Sequence, residues 1–558
     1  MKFNKTLTIP SVLTSIASTQ NILSIAEKLH FDENGSAWYT VGDWNAICRG
    51  EFVVPTAAFT TLGCKVNQYE TQRILDDFEE IGFAITEFNQ AADVYVINTC
   101  SVTQAAERKS RHMIRKVARQ NPEAIVVMTG CYGEMAQIKG ETVEEASLTV
   151  PNPEKLLTLQ HVLRAFPHLK SELAQSSQIE AERAPAFRRT RATIKVQDGC
   201  NVFCSFCSIP YTRKIMASRP VEEVVAEVER KVEQGYREIV ITGVLVGAYG
   251  QDGFIPQPGK DLPRIHFQNA GILQSLRGAA PTGSPDLADL LLRLAQVPGI
   301  ERVRLSSIEP TQVTDRLLQA FAQEPKLCRH LHIPLQSGDS GVLNAMNRPY
   351  DQAFYLERCR LAYEVIPDLA ITSDIMAGFP GEDRAAFENT LHVVREVGYA
   401  RAHLFRYSPR PNTPAAERRD QVQDSEKEAR SKELATACRE TQATFIRKYI
   451  GRELEVLVEG KEGPSKTDPE GESGNDGNEP VAMTTETGMS GLLGGYTSNY
   501  IRVQFTGGAH LIGKVVKVRL LEPTGDGALG EVGGAHFGPQ EAPPDAEFIP
   551  LATFTASL

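Results

Sequence analysis

Residues 199–207 read Gly199-Cys200-Asn201-Val202-Phe203-Cys204-Ser205-Phe206-Cys207, so three residues separate the first two cysteines and two separate the next pair. Three thiolates on one loop leave a closed tetrahedral zinc site one ligand short. A four-iron cluster held by three cysteines keeps one iron open to a further ligand. The competing reading is a structural zinc site completed by a distant residue. The surroundings favour the cluster. ATIKVQ (192–197), EIVITGV (238–244), RVRLSSI (302–308), HLHIPLQ (330–336), AITSDIM (370–376) and RAHLFRY (401–407) read as strands alternating with amphipathic helices. Six such units predict an α/β fold with a partial (β/α)6 barrel, the cysteine loop following its first strand.

Upstream, AAFTTLG (57–63), DVYVINT (93–99) and AIVVMTG (124–130) are apolar runs, each followed by an amphipathic helix. That alternation predicts a doubly wound parallel-sheet domain. Downstream, ELEVLVEG (453–460), NYIRVQFTG (499–507) and KVVKVRLLEP (514–523) predict a small β-barrel. The expected domains are an N-terminal extension over 1–55, the parallel-sheet domain over 56–170, a linker over 171–189 and the partial barrel over 190–447. The terminal barrel is expected over 448–522 and a disordered tail over 523–558. Stretches near 251–285 and 461–490 are rich in Gly, Pro, Ser and charge and read as mobile insertions.

At 558 residues the chain exceeds one hydrophobic core. Its 41% hydrophobic and 23% charged content are ordinary, and no apolar run reaches the roughly 18 residues that span a bilayer. The first residues show no continuous apolar signal core. A cytoplasmic protein without a membrane partner is expected. A net charge of −11 repels nucleic acid globally, so RNA binding requires local basic patches. Ten cysteines are too sparse for a disulfide scaffold, which makes their spacing the informative feature.

Cys64 in TLGCKVNQYET, Cys100 in INTCSVT and Cys131 in MTGCYGE each follow an apolar strand of the first domain. Carboxyl ends of parallel strands line one sheet edge, so the three thiols are expected to converge on a second cluster site. Singly, each would be a buried small hydrophobe, the reading retained for Cys48, Cys328, Cys359 and Cys438.

The Cys200–Cys204–Cys207 spacing, with aromatic Phe206 before the last cysteine, resembles the radical S-adenosylmethionine superfamily. The order of dispersed cysteines, radical motif and terminal barrel resembles its methylthiotransferase family over residues 57–520. CKVNQYET, NTCSVT, ERKSR, GCNVFCSFCSIPYTR, HIPLQSG, GFPGE and YSPRPNTPA are most similar to the branch acting on N6-threonylcarbamoyladenosine beside the tRNA anticodon. The isopentenyladenosine branch usually has a Gln-Met-Asn type of loop after the first cysteine and the ribosomal-protein branch a Pro-Lys-Asn type; Lys65, Val66 and Asn67 match neither. Two positions depart from the family: Lys214 follows Arg213 where glycine is usual, and Leu245 stands where Asn or His is common.

The resemblance implies two [4Fe-4S] clusters, held by Cys64, Cys100 and Cys131 and by the catalytic triad Cys200, Cys204 and Cys207. It implies that S-adenosylmethionine is cleaved at the second cluster to a 5′-deoxyadenosyl radical that takes hydrogen from adenine C2, and that Phe206 packs near the cofactor's adenine. A reducing electron donor and a sulfur donor are the implied partners, with tRNA bound through its anticodon stem-loop. An aromatic C–H offers no acid or base route near neutral pH, which accounts for a radical generator. Thr242, Gly243, Glu309, Gln336, Ser337 and Asp374 close otherwise apolar barrel strands and are the cofactor-binding candidates. For Asp374, Ser337 and Glu309 the alternative is a helix cap.

Arg108, Arg111, Arg115 and Arg119 recur at helical spacing on 105–120, with Met113, Ile114 and Val117 toward the sheet, forming a phosphate-binding stripe or a solvated face. Arg188 and Arg189, with Arg191 and Lys195, form a second basic cluster. In GYTSNYIRV, which resembles the TRAM RNA-binding module, Tyr496, Tyr500 and Arg502 are stacking or phosphate candidates. The rival functions are a methylthiotransferase for isopentenyladenosine tRNA or a ribosomal-protein aspartate, and an iron-sulfur protein that only carries electrons.

Overall fold

The computed structural model describes residues 54–101, 104–176, 190–254, 285–410, 413–461 and 490–533, with two short strands at His30–Phe31 and Ala37–Trp38. Arg188, Arg189, most of the N-terminal extension, the greater part of both insertions and the tail past 533 lie outside the described residues.

The first domain holds five parallel strands, β1 (Thr56–Thr61), β2 (Ala84–Thr86), β3 (Val94–Thr99), β4 (Ile125–Gly130) and β5 (Leu148–Thr149), in the order β2-β1-β3-β4-β5. Every residue of β3 and β4 is buried, as expected where helices cover both faces of a parallel sheet. Helices α1 (Lys65–Ile81), α2 (Gln104–Gln120) and α3 (Cys131–Lys139) leave the carboxyl ends of β1, β3 and β4. The strand order reverses between β1 and β3, the switch point at which such sheets open a crevice.

The second domain carries six parallel strands: β6 (Arg191–Asp198), β8 (Glu238–Gly243), β10 (Arg302–Leu305), β11 (His330–His332), β12 (Ala370–Ala377) and β13 (Arg401–Arg406). Among the described residues, the β10 and β11 regions are joined by the single bridges Val303 to Leu327 and Ser307 to His332 rather than by a continuous ladder. The result is the expected partial barrel. Two antiparallel strands, β7 (Ile215–Ser218) and β9 (Gly253–Phe254), extend its β6 edge.

The third domain is a closed barrel in the order β14-β15-β16-β18-β17, built from Glu453–Lys461, Ser490–Thr497, Arg502–Gly508, Gly527–Val532 and Val515–Pro523. It plugs the amino-terminal end of the partial barrel. Arg302 donates to the carbonyls of Tyr496 (3.1 Å) and Glu455 (2.7 Å), and Arg304 to those of Thr497 (3.1 Å) and Ser498 (3.0 Å). His330 stacks on Tyr500 with centroids 4.4 Å apart.

Two expected boundaries move. The linker's first residues are helical through Ser176, because Leu169 and Leu173, one turn apart, are buried in the first domain's core. The tail's first residues form β18, which closes the terminal barrel, so that barrel runs to Val532 rather than 522. Among the described residues, no helix is long and apolar enough to cross a membrane.

Candidate functional site

Cys64, Cys100 and Cys131 stand at the carboxyl ends of β1, β3 and β4, Cys64 as the residue before α1 and Cys131 as the first of α3. Gly63 (φ +96°) lays the Cys64 loop over Cys100 so closely that a Cβ there would lie 2.5 Å from Cys100 Sγ. Asn67 buckles the loop: its Nδ2 donates to the carbonyls of Leu62 (2.9 Å) and Thr99 (3.1 Å), and Asn98 Nδ2 returns a bond to the Asn67 carbonyl (3.0 Å). Cys100 and Cys131 are buried, whereas Cys64 retains exposed surface. Surrounding protein nevertheless raises the Cys64 thiol, Arg213 opposing the rise and Cys131 adding to it.

The radical loop departs from β6 at Gly199, whose φ of +79° and closeness to the Ile215 carbonyl, 2.1 Å from where a Cβ would stand, admit no side chain. The loop is fastened along its length. Asn347 Nδ2 donates to the Phe203 carbonyl (2.9 Å), Ser205 N to that of Met346 (2.9 Å) and Ala415 N to that of Ser205 (3.0 Å). Phe203 holds a left-handed φ of +52°, a strained position for a bulky side chain.

Sulfur atoms in this loop accept hydrogen bonds. Arg348 Nη1 lies 3.1 Å from Cys204 Sγ and Ile209 N 3.5 Å from Cys207 Sγ. Burial pushes the Cys200 thiol well up, that of Cys204 up to about 11 against the pull of Arg348, and that of Cys207 up against Arg410. Buried thiols that resist ionisation alone, yet receive N–H donors and face arginine, fit a cationic cluster that displaces their protons. Among the described residues no three His, Cys, Asp or Glu side chains are gathered tightly enough for a single metal ion.

The two triads face one another. α3, which begins at Cys131, packs on the helical turn Ile209–Thr212 immediately after Cys207. Cys131 adds to the rise of the Cys207 thiol. Arg410 lies near both triads: burial lowers its guanidinium from its ordinary value, and Cys207 and Cys100 oppose that fall.

The cofactor-binding candidates lie around the carboxyl ends of the barrel strands. Phe206 packs edge-on against Phe379 of GFPGE, centroids 6.3 Å apart. Thr242 Oγ1 accepts from Ser306 Oγ (3.1 Å). Gly243 leaves room for Gln197, whose Oε1 accepts from Leu245 N (2.8 Å) and whose Nε2 donates to the Gly199 carbonyl (2.9 Å). Glu309 is ion-paired to Arg348. Gln336 has a left-handed φ of +62° and bridges to Ile375. Asp374 lies 3.3 Å from His332 Nε2. Neither Asp374 nor Ser337 caps a helix: Asp339 caps Ser340–Ala345 and Asp383 caps Arg384–Val397. Glu309 precedes a three-residue 3-10 turn without a side-chain cap bond.

The family departures are local. Lys214 points to solvent while Arg213 is buried, and Leu245 meets Gln197 through its backbone. Sequence reading missed Gln197, Arg348, Arg410 and buried Gln312, whose two polar side-chain atoms have no hydrogen-bond partner among the described residues.

On α2, Arg108, Arg115 and Arg119 are exposed and Arg111 is half-buried, with Ile114 and Val117 toward the sheet. Arg115 pairs with Glu145 at 2.8 Å beside a concavity of about 350 Å³ lined by His112, Arg115, Arg119 and Glu145. Other expected RNA contacts are engaged by the protein itself, Tyr496 in its interior and Arg502 at the surface. Tyr496 is buried under Arg191, 5.3 Å from ring to guanidinium, and Tyr500 lies between His330 and Arg304. Arg502 pairs with Asp526. Arg191 pairs with Glu459 (2.7 Å) and Lys195 with Glu70 (2.7 Å), because the polar side of β6 faces other protein rather than solvent.

Residues 56–150 match Uncharacterized protein family UPF0004, and residues 194–394 match the Radical SAM superfamily. The chain is 35% identical over 473 residues to the threonylcarbamoyladenosine tRNA methylthiotransferase MtaB of Bacillus subtilis, covering 84% of this chain and 94% of that protein. It is 31% identical to the Thermotoga maritima protein of the same name, covering 85% and 96%. It is 32% identical to the tRNA-2-methylthio-N(6)-dimethylallyladenosine synthase of Clostridium botulinum (strain Loch Maree / Type A3), covering 88% and 98%.

Proposed function

Because the chain belongs to the methylthiotransferase family of radical S-adenosylmethionine enzymes, we propose that it converts N6-threonylcarbamoyladenosine beside the tRNA anticodon into its 2-methylthio derivative. The observation that carries this reading is the approach of two cysteine triads borne by different domains, where α3 packs on the turn that follows Cys207 and Arg410 interacts electrostatically with both Cys207 and Cys100. When bound, S-adenosylmethionine at a [4Fe-4S] cluster supplies a carbon radical able to take hydrogen from adenine C2, chemistry beyond any side chain here.

The chain's own residues do the rest. Cys200, Cys204 and Cys207 hold one cluster and Cys64, Cys100 and Cys131 the other. Arg348 donates to Cys204 Sγ and is itself oriented by Glu309. Phe206, Thr242, Gly243, Gln336, Ser337 and Asp374 surround the cofactor, and Arg108, Arg111, Arg115 and Arg119 meet RNA phosphates. The threonylcarbamoyl branch is favoured by the CKVNQYET loop and by the 35% identity to the Bacillus subtilis protein. The enzyme works in the cytoplasm with a low-potential reductant and a sulfur donor.

Liquid chromatography and mass spectrometry of tRNA nucleosides from cells with and without the gene tests the assignment. The 2-methylthio-threonylcarbamoyl nucleoside disappears and its precursor accumulates. Loss of the isopentenyl derivative instead would overturn the substrate assignment.

A further inference from the structure

Glu70 lies on α1, the helix that follows Cys64, and is 1% exposed. Its oxygens accept from Lys155 Nζ (2.6 Å), Lys195 Nζ (2.7 Å) and Arg213 Nη1 and Nη2 (3.1 and 3.0 Å). Lys195 and Arg213 also hold Asp198, at 2.7 Å and at 2.7 and 2.8 Å. Asp198 Oδ1 in turn accepts from Gly199 N (2.8 Å), the residue before Cys200. Three cations and two carboxylates therefore form one cluster, whose members Lys155, Arg213 and Glu70 are nearly inaccessible. One anchor lies beside Cys64, one beside Cys200 and one just beyond Cys207.

Stability does not account for such a cluster, since apolar residues of similar volume usually hold an interface at least as well as buried ion pairs do. Direction does. Bidentate arginine–carboxylate bonds fix rotation as well as separation, whereas apolar packing tolerates sliding. Each cysteine loop is fastened within its own domain, by Asn67 in the first and by Asn347 and backbone bonds in the second. The relation between the two domains is left to contacts that cross them; Asn152 Nδ2 to the Thr212 carbonyl (3.1 Å) and Tyr69 OH to Glu227 (3.3 Å) are single bonds of this kind, whereas the Glu70 cluster ties α1 to both ends of the radical loop at once.

We propose that the Glu70 cluster sets the distance and orientation between the two cysteine triads, making Glu70 a positioning residue for transfer between the sites they form. The inference rests on the reading that each triad holds a cluster and that both serve one substrate. Misplacement of reacting groups by about 1 Å costs on the order of 10²-fold in rate.

The test uses the reconstituted full chain as wild type, Glu70→Gln and the double variant Glu70→Met/Lys155→Met, which removes the lock together with one of its three cations, leaves Lys195 and Arg213 on Asp198, and serves where Glu70→Gln does not fold. Two measurements are made on the same samples. Dipolar coupling between the two reduced clusters is read by electron paramagnetic resonance without substrate. Methylthiolated product per 5′-deoxyadenosine is read with a threonylcarbamoyladenosine stem-loop. The variants are expected to keep wild-type iron content and cofactor cleavage, to show a broadened coupling, and to lose at least about tenfold in product per 5′-deoxyadenosine. Folded variants with unchanged coupling and unchanged product ratio would overturn the inference. So would product and cofactor cleavage falling in proportion, which would place the cluster's effect on the radical site alone. A wild type that forms no product, while the variants still broaden the coupling, would refute the substrate reading and leave the inference standing.

Discussion

Replacing Arg348 by Met removes a buried guanidinium of similar length from beside Cys204. The side chain is 3% exposed and spends its donors on Cys204 Sγ (3.1 Å), Glu309 and Tyr350 OH (3.1 Å). A reduced cluster carries one more electron than the oxidised one, so a cation at its sulfur stabilises the reduced form, and removing that cation lowers the potential. Hydrogen bonds to charged groups contribute about 1.5–3 kcal/mol. Only the difference between the two oxidation states matters, roughly a third to a half of that, or about 0.5–1.5 kcal/mol. At about 59 mV per factor of ten for one electron, the midpoint falls by about 20–60 mV. Glu309, left with its negative charge uncompensated, pushes the same way. A redox titration of the reconstituted protein followed by electron paramagnetic resonance measures this, with Arg348→Lys restoring part of the loss. An unchanged or raised midpoint in Arg348→Met with its iron intact would rule out this electrostatic role.

Cys131→Ala lowers iron from about eight to about four atoms per chain and abolishes methylthiolation while cofactor cleavage to 5′-deoxyadenosine persists; iron analysis and product chromatography check both halves. Glu238→Gln, which leaves Arg304 (2.7 Å) and Arg302 (3.6 Å) facing a neutral group, costs about 3–5 kcal/mol in urea unfolding. Burial opposes ionisation of Glu238, yet Arg304, Arg191 and Arg302 hold its carboxyl below the usual range. Its contribution is therefore complete above the unfolded value of about 4.3 and lost as pH falls through the lower folded value, so wild type and variant converge in acid. Arg115→Ala/Arg119→Ala weakens tRNA binding and makes its salt dependence shallower, the slope falling by about one for each phosphate left without its arginine. Cofactor cleavage without tRNA is unchanged in that variant.

The parallel strands were legible because burial on both faces writes them as continuous apolar runs, as in VYVINT and IVVMTG. The same rule placed six cysteines at strand ends and loops. Two strands of the terminal barrel were not legible. Ser490–Thr497 is glycine-rich, and Gly527 opens β18 where a Cβ would meet the Arg502 carbonyl at 2.2 Å, so close strand approach looks like loop composition. Tyr496, Tyr500, Arg191 and Lys195 looked available to RNA because alternation reveals two faces of a strand but not which partner covers the polar one. Arg348 lies 144 positions from Cys204, and Glu70 lies 143 from Arg213. Their roles come from tertiary contacts between segments far apart in the chain, which no local pattern reveals.

The decisive experiment supplies the reconstituted enzyme with S-adenosylmethionine, a reductant, a sulfur source and an anticodon stem-loop whose threonylcarbamoyladenosine carries deuterium at C2. Mass spectrometry then follows the label. Deuterium is expected in 5′-deoxyadenosine as the 2-methylthio nucleoside forms. Methylthiolation with the deuterium found only in solvent, or 5′-deoxyadenosine that never acquires it, would exclude hydrogen abstraction from C2 by the cofactor's radical.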